Sequence, residues 1–186
     1  MCGDTRMAYA VVLTLDEQLS REVTDTWHSF ETASIGKTPG QLNEPPHITF
    51  AISRGASPAT LWSAVRDVAF ANAELKLLPF GVFTGDRHVV YLNAVLSEGL
   101  GRSHRDLYRR LTQDNVATDP LYAPGNVLFH CTIAVEVEPA RLAEAVTLLS
   151  GRETSHSGCA VTVDLWEFFP VQLLHRREIS CSSPTQ

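Results

Sequence analysis

Apolar residues recur along this chain at two spacings, and the spacing changes from one segment to the next. Short apolar runs rich in β-branched residues predict strands, whereas apolar residues three or four positions apart predict amphipathic helices. The predicted strands cover residues 8–15, 47–53, 75–84, 88–96, 129–137, 160–169 and 172–179. The predicted helices cover residues 17–33, a segment that opens at 57–58, and residues 99–113 and 139–149.

Local signals place the ends of these elements. Asp16 can cap the helix 17–33, and Ser57 followed by Pro58 is typical of an N-cap with proline in the first turn. Residues 85–87, Gly-Asp-Arg, favour a hairpin between the strands on either side of them. An apolar stripe indicates that one side of helix 17–33 is buried, at Leu19, Val23, Trp27 and Phe30.

Two of the predicted strands carry the same motif. Residues 47–51 and 130–134 both read His-x-Thr-apolar-Ala. Because side chains at positions i, i+2 and i+4 of a strand share one face, each segment places an imidazole, a hydroxyl and a methyl group side by side. One such triplet is weak, since short motifs recur by chance, but two copies that also agree at the apolar and Ala positions indicate a shared role.

The two halves of the chain repeat one order of elements. In each half a helix leads through a Pro/Gly-rich loop into a His-x-Thr strand, which is followed by another helix and paired strands. This pattern predicts an α+β fold that is bilobal, a pseudo-twofold duplicated unit of antiparallel sheets flanked by helices, with a central cleft. We expect residues 1–186 to form one domain whose two lobes each contribute one His-x-Thr strand.

Composition restricts the ligands that such a cleft can take. The chain has 186 residues, of which 44% are hydrophobic, and its formal net charge is −6. Because non-specific binding of long nucleic acid needs a basic surface, this acidic balance argues against it. The pairs 109–110 and 176–177, both Arg-Arg, are too short to form a nucleic-acid patch. A small nucleotide or one RNA end remains compatible.

The cysteines and the apolar runs bear on location. Cys2, Cys131, Cys159 and Cys181 form no C-x-x-C pair, which predicts buried free thiols in a reducing compartment and no structural zinc site. No apolar run has the length of a signal-peptide core or a transmembrane helix. We therefore expect a soluble, cytoplasmic protein without membrane contact, and a monomer.

The paired motif suits the chemistry of a phosphodiester. Such a substrate needs a base for the attacking oxygen, an acid for the leaving oxygen and donors for the non-bridging oxygens. His47 and His130 can supply the first two, because the unperturbed pKa of histidine lies near neutrality. Thr49 and Thr132 can donate to phosphate oxygens. This scheme predicts no cofactor and no catalytic metal, and the motifs of zinc proteases, serine hydrolases and P-loop proteins do not occur.

The two motifs and the duplicated order resemble the two-histidine (2H) phosphoesterase superfamily, in its branch of 2′-5′ RNA ligase-like proteins and cyclic nucleotide phosphodiesterases. Residues 46–50, Pro-His-Ile-Thr-Phe, match the first motif of that family, and residues 130–133 match the core of the second. Phe129 stands where many relatives have Pro, and residues 135–137 lack the Arg that many RNA-acting members carry. The resemblance implies a bilobal fold with both His-x-Thr pairs at the cleft, and metal-independent hydrolysis or reversible formation of 2′,3′-cyclic or 2′-5′-linked phosphodiesters.

Several residues and functions stay open at this level. Tyr122 lies in the loop before the second motif and is the favoured aromatic residue to stack a base, ahead of Tyr9, Phe83, Trp166 and Phe168.

Four further histidines near loops and charges are interpreted as surface residues, namely His88, His104, His156 and His175. The alternatives to a phosphodiesterase are RNA end-processing, 2′-5′ RNA ligase activity, or a non-catalytic module that binds a nucleotide or RNA end.

Overall fold

The computed structural model describes residues 8–151, 155–168 and 170–181, and within them it places seven strands and four α-helices. The strands are β1 Ala8–Leu15, β2 His47–Arg54, β3 Glu74–Phe83, β4 His88–Leu96, β5 His130–Val137, β6 His156–Phe168 and β7 Gln172–Glu178. The helices are α1 Glu17–Thr32, α2 Pro58–Arg66, α3 Glu98–Gln113 and α4 Leu142–Ser150. Three short 3₁₀ turns lie at Pro39–Leu42, Pro120–Tyr122 and Pro139–Arg141.

The helices begin where the sequence places their caps. The Asp16 carboxylate accepts a hydrogen bond from the backbone N–H of Leu19 at 2.8 Å, and Ser57 accepts one from Thr60 at 3.1 Å. These bonds satisfy donors that the first helical turn leaves unpaired. The predicted helix 139–149 differs, because its first residues form the 3₁₀ turn Pro139–Arg141 before α4 begins.

The strands form one antiparallel sheet in the order β2-β1-β6-β3-β4-β5, with β7 beside β6. β6 joins two halves: its residues 160–168 pair with β1, and its residues 156–159 pair with β3. We call β2, β1, β6 and β7 the first half-sheet, and β3, β4 and β5 the second half-sheet. The predicted α+β class with antiparallel strands and flanking helices is confirmed, and the arrangement as a single two-lobed domain stays a prediction.

The two faces of the sheet differ in what covers them. On the face that we call the helix face, the main core packs the helices against alternate strand residues, among them Leu13, Ile48, Val90 and Ile133. The opposite face carries the histidines and threonines of the two motifs, and we call it the motif face. In the first half-sheet a second, small cluster of Ala10, Val12 and Trp166 lies there.

An aromatic cluster on the helix face connects the two edge strands. Phe50 of β2 packs against Phe129, the residue before β5, with ring centroids 5.4 Å apart. His104 of α3 contacts both rings, at 5.3 and 4.9 Å. The Nε2 of His104 donates to the carbonyls of Phe50 and Tyr122. The interpretation of His104 as a surface residue is therefore wrong, because it is only 2% exposed and ties the loop before β5 to β2.

His88 and two of the cysteines also depart from expectation. His88, on β4, is 8% exposed and therefore buried rather than at the surface. Cys159 and Cys181 form a disulfide with their Cα atoms 5.9 Å apart, so the prediction of free thiols is wrong for this pair. The pairing follows from β7, which returns beside β6 and brings residue 181 back to residue 159. Cys131 is free and buried, and Cys2 lies outside the described residues.

No helix in the described part of the chain is both long enough and apolar enough to cross a membrane.

Candidate active site

The two motif histidines occupy equivalent places at the two edges of the sheet. His47 is the first residue of β2 and lies opposite Thr14 of β1, whereas His130 is the first residue of β5 and lies opposite Asn93 of β4. Both side chains are partly buried, while the next residue of each strand, Ile48 or Cys131, is buried in the core. Strand alternation therefore turns both imidazoles to the motif face.

The two edges are close enough for the histidines to influence each other. The backbone N–H of His47 hydrogen-bonds to the thiol of Cys131, the neighbour of His130 in β5. Burial raises the pKa of that thiol to about 12 against this bond, so Cys131 is a neutral core residue. His130 also acts on His47 electrostatically and lowers its pKa. The structure thus brings together the two residues that the sequence predicts as an acid–base pair.

Both imidazoles are held in one tautomer by the chain just before them. The Nδ1 atom of His47 lies 2.9 Å from the Pro45 carbonyl oxygen, and the Nδ1 atom of His130 lies 2.7 Å from the Leu128 carbonyl oxygen. Because a carbonyl oxygen can only accept, Nδ1 carries the proton in each ring. Each neutral ring therefore keeps Nε2 as its basic atom.

Burial favours the neutral form of both rings. It lowers the pKa of His47 to about 4, opposed by the hydrogen bond to Pro45 and assisted by the repulsion from His130. Burial also lowers the pKa of His130, opposed by the hydrogen bond to Leu128. Near neutral pH the free protein therefore presents two neutral imidazoles, and an anion between them would favour protonation of one.

The walls behind the two histidines are different. His47 meets the ring of Trp166 edge-on, with centroids 4.7 Å apart. His130 contacts Phe83 at 5.0 Å and Tyr91 at 5.1 Å, and these two rings stack on each other at 4.2 Å. Gly81 allows this stack, because a Cβ atom there would lie 2.5 Å from the Tyr91 ring. Phe83 is 39% exposed, so its ring offers a free aromatic surface beside His130.

The motif threonines lie one step further along the same face. Thr49 is opposite Val12 of β1, and Thr132 is opposite Tyr91 of β4. Both are partly buried, and their hydroxyl groups make no hydrogen bond within the described part of the chain. Each hydroxyl can therefore donate to a ligand that sits between the histidines.

Tyr122 occupies a more distant position than its place in the sequence suggests. It ends the 3₁₀ turn Pro120–Tyr122 and packs against the main core, and its backbone carbonyl accepts the bond from His104. Burial raises the pKa of its hydroxyl, as does the nearby Asp119. No described contact joins its ring to either motif histidine. Its role in stacking a base stays a prediction.

Sequence reasoning missed a buried carboxylate on the motif face. Asp164 of β6 is fully buried and accepts from the Thr162 hydroxyl at 2.8 Å and from the Trp166 indole N–H at 3.3 Å. Arg176 of β7 donates to both of its oxygens, through Nε at 3.0 Å and Nη2 at 2.7 Å. The sequence contains a signal for it, because Thr162 and Asp164 are polar residues two positions apart within the otherwise apolar run 160–166.

Within the described residues, no group of three or more His, Cys, Asp and Glu side chains is arranged to hold a metal ion.

Comparison with known proteins gives the family of the chain and structures with a similar fold. The family model of the 2′-5′ RNA ligase superfamily matches residues 16–168. No curated protein sequence matches the chain. Among solved structures, E. coli LigT complexed with 3′-AMP has a TM-score of 0.64 at 14% identity, over 94% of this chain and 98% of that one. The MHV ns2 PDE domain has a TM-score of 0.57 at 12% identity, over 93% and 99%.

Proposed function

Because the chain belongs to the 2′-5′ RNA ligase superfamily of two-histidine phosphoesterases, we propose that it is a metal-independent phosphodiesterase for 2′,3′-cyclic or 2′-5′-linked nucleotides. The observation that carries this proposal is the matched setting of His47 and His130. Each begins an edge strand, each has Nδ1 held by a carbonyl two residues earlier, and each leaves Nε2 for chemistry. The known ligands of LigT, which include 3′-AMP, ATP and NADP+, support a nucleotide as the substrate.

The proposed reaction is an in-line displacement at phosphorus. Neutral Nε2 of one histidine takes a proton from water, whose oxygen forms a bond to phosphorus. The bond from phosphorus to the 2′ or 3′ ribose oxygen breaks, and the protonated Nε2 of the other histidine gives that oxygen a proton. The hydroxyls of Thr49 and Thr132 donate to the non-bridging oxygens and stabilise their charge.

Both proton transfers in this scheme use side chains of the chain itself. One imidazole must be neutral and the other protonated, and a bound phosphodiester supplies the negative charge that stabilises the protonated ring. We therefore expect EDTA to leave turnover unchanged. The aromatic surface of Phe83, beside His130, is the proposed platform for the base, since base–aromatic stacking tolerates any base.

The decisive experiment replaces each imidazole by an amide of similar size. We expect His47→Gln and His130→Gln each to reduce kcat/KM for adenosine 2′,3′-cyclic phosphate by at least about 10³-fold, since general acid–base catalysis contributes about 10²–10⁴ per group. His28→Gln, at an exposed position of α1, is the matched control and should retain activity. Circular dichroism and thermal melting verify the fold of all three variants.

Two outcomes would contradict the proposal. Turnover near that of the wild type in either His47→Gln or His130→Gln would remove the histidine pair from the reaction. Nucleotide binding without turnover in the wild type, across the pH range in which histidine titrates, would instead support the alternative of a non-catalytic binding module.

A further inference from the structure

The motif face is not symmetric about the two histidines. The strand register defines a row across the first half-sheet, in which Thr49 lies beside Val12, Val12 beside Asp164, and Asp164 beside Arg176. The corresponding row of the second half-sheet runs from Thr132 to Tyr91 and Gly81. The row that starts at Thr49 therefore ends at a fixed cation, whereas the row that starts at Thr132 ends at an aromatic stack.

The guanidinium of Arg176 is held in place but keeps hydrogen-bond donors for a ligand. Two of its nitrogens hold the buried Asp164 carboxylate, while Nη1 makes no hydrogen bond within the described part of the chain. Its side chain is 49% exposed, although Asp164 beneath it has no exposure. The exposed carboxylate of Glu178, two residues along β7, shares the face and makes no ion pair with Arg176 among the described contacts. A guanidinium anchored on one edge presents its remaining donors in a set direction.

A chain of three contacts, through Asp164 and Trp166, connects Arg176 to His47, a candidate catalytic histidine. The Trp166 ring packs on His47 and gives its indole N–H to Asp164, which in turn holds Arg176. Arg176 stands three strands from Thr49, about 14 Å at about 4.8 Å per strand, but its guanidinium reaches back to Asp164, which stands two strands from Thr49. The guanidinium therefore lies roughly 10 to 14 Å from Thr49, too far to bind a phosphate held by Thr49 and on the side where a second anionic group of the same ligand would extend.

A ribose has a shape that fits a site with an aromatic surface at one end and a guanidinium at the other. When a 2′,3′-cyclic phosphate sits between His47 and His130, the base at C1′ and the 5′ carbon at C4′ leave opposite ends of the ring. An aromatic surface on one side and a guanidinium on the other match a base and a 5′-phosphate. Arginine is suited to the second role because its planar fork matches phosphate geometry.

We propose that Arg176 forms a second anion subsite, and that the preferred substrates are nucleotides that carry a further phosphate at the 5′ position besides the diester that is cleaved. This inference rests on the proposed function for the location of the first phosphate. It adds a substrate class that the His-x-Thr motifs themselves do not specify.

The test measures binding and turnover separately with ligands that differ by one phosphate. Calorimetry compares adenosine 2′-phosphate with adenosine 2′,5′-bisphosphate, and kinetics compares adenosine 2′,3′-cyclic phosphate with and without a 5′-phosphate. We expect the wild type to prefer the 5′-phosphorylated member of each pair about tenfold, which corresponds to about 1.4 kcal/mol. In the kinetics the preference should appear mainly in KM.

The variants separate recognition from folding. Arg176→Gln should abolish the preference, so that the two ligands of each pair bind and react with the same efficiency. Because it leaves a buried carboxylate unpaired, the double variant Asp164→Asn/Arg176→Gln removes both charges and should give the same result. Arg177→Gln is the matched control on the opposite face, where Arg177 donates to the carbonyls of Arg66 and Val68, and it should keep the full preference.

The outcomes distinguish this inference from the proposed function. A wild type without the preference, a preference that survives in the Arg176 variants, or an equal loss for both ligands of a pair would overturn the subsite. Absence of binding by either ligand would overturn it as well. A preference that depends on Arg176 in a protein without turnover would support the subsite and refute the phosphodiesterase.

Discussion

An imidazole with Nδ1–H held by a carbonyl has one nitrogen left for chemistry. In this protein that restriction applies to both motif histidines and arises from the same local geometry, a bond from residue i to the carbonyl of residue i−2. Burial then keeps both rings neutral in the free state, as their lowered pKa values indicate. The protonated imidazole that the reaction needs must therefore form when the anionic substrate binds.

Because a bound anion favours the protonated imidazole, we predict that an anionic ligand raises the pKa of both histidines. Phosphate favours the charged imidazolium, so saturation with adenosine 2′-phosphate should move the pKa of His47 upward from about 4. Proton NMR titration of the imidazoles measures this, with His47→Gln and His130→Gln assigning the signals. A Thr49→Val variant keeps the imidazoles, removes one phosphate donor and should show a smaller rise. Identical pKa values with and without ligand would contradict the prediction.

The same pKa values set the pH optimum. The profile of kcat/KM reports groups of the free enzyme, and a pair that needs one neutral and one protonated ring is most active between its two pKa values. Because both values are lowered, we expect the optimum below about pH 6.5, the ordinary pKa of histidine. Steady-state kinetics with adenosine 2′,3′-cyclic phosphate measures it. An optimum in the alkaline range would show that other groups carry the proton transfers.

The aromatic wall of His130 gives a prediction for substrate affinity. Removing a stacked base–aromatic contact costs about 1–3 kcal/mol, so Phe83→Leu should raise KM for the cyclic nucleotide by at least about fivefold and leave kcat nearly unchanged. A ribose cyclic phosphate without a base should not respond to the substitution. Tyr122→Leu is the comparison, because the sequence favours Tyr122 for this role. An effect at Tyr122 alone would assign the stacking to that residue instead.

At the scale of elements, periodicity predicts what is local and misses what depends on strand pairing. The strand β1 and the caps Asp16 and Ser57 agree with the sequence because neighbours along the chain determine them. The contact of β2 with β5 joins segments far apart in sequence, and the duplicated motif was its only signal. Asp164 and Arg176 meet because β6 and β7 pair in one register, which periodicity alone does not define.

His104 shows the same limit. Charged neighbours along α3 suggest a surface position, yet the loop before β5 folds over the helix and buries it. Its Nε2 then satisfies two carbonyls from segments that no local pattern connects. The His104 side chain therefore stabilises the packing of β2 and the loop before β5 against α3.

This role predicts a specific loss of stability. His104→Leu retains bulk but leaves the Phe50 and Tyr122 carbonyls without their donor, which should cost about 1–3 kcal/mol of unfolding free energy. Arg105→Leu, at the exposed neighbouring position, should change it by no more than about 0.5 kcal/mol. Urea denaturation followed by circular dichroism measures both. Equal stability of the two variants would mean that the carbonyls find other partners.

At the scale of the whole molecule, charge limits the length of nucleic acid that the cleft can hold. The chain is acidic, with a formal net charge of −6, and Arg176, the cation fixed on the motif face of the first half-sheet, forms an ion pair with Asp164. Affinity for long RNA comes mainly from many phosphate contacts, each of which releases counterions. A protein of this charge should recognise a short end and gain little from the rest of a strand.

We therefore expect affinity to be nearly independent of length. A 2′-5′ dinucleotide and a longer RNA with the same end should bind within a few-fold of each other. With one or two phosphates neutralised, the slope of log K against log salt should be about −0.7 to −1.4. Fluorescence anisotropy across a salt series measures both quantities. A slope several times steeper, with affinity that rises with length, would favour RNA end-processing or ligation, because only an extended contact surface releases that many counterions.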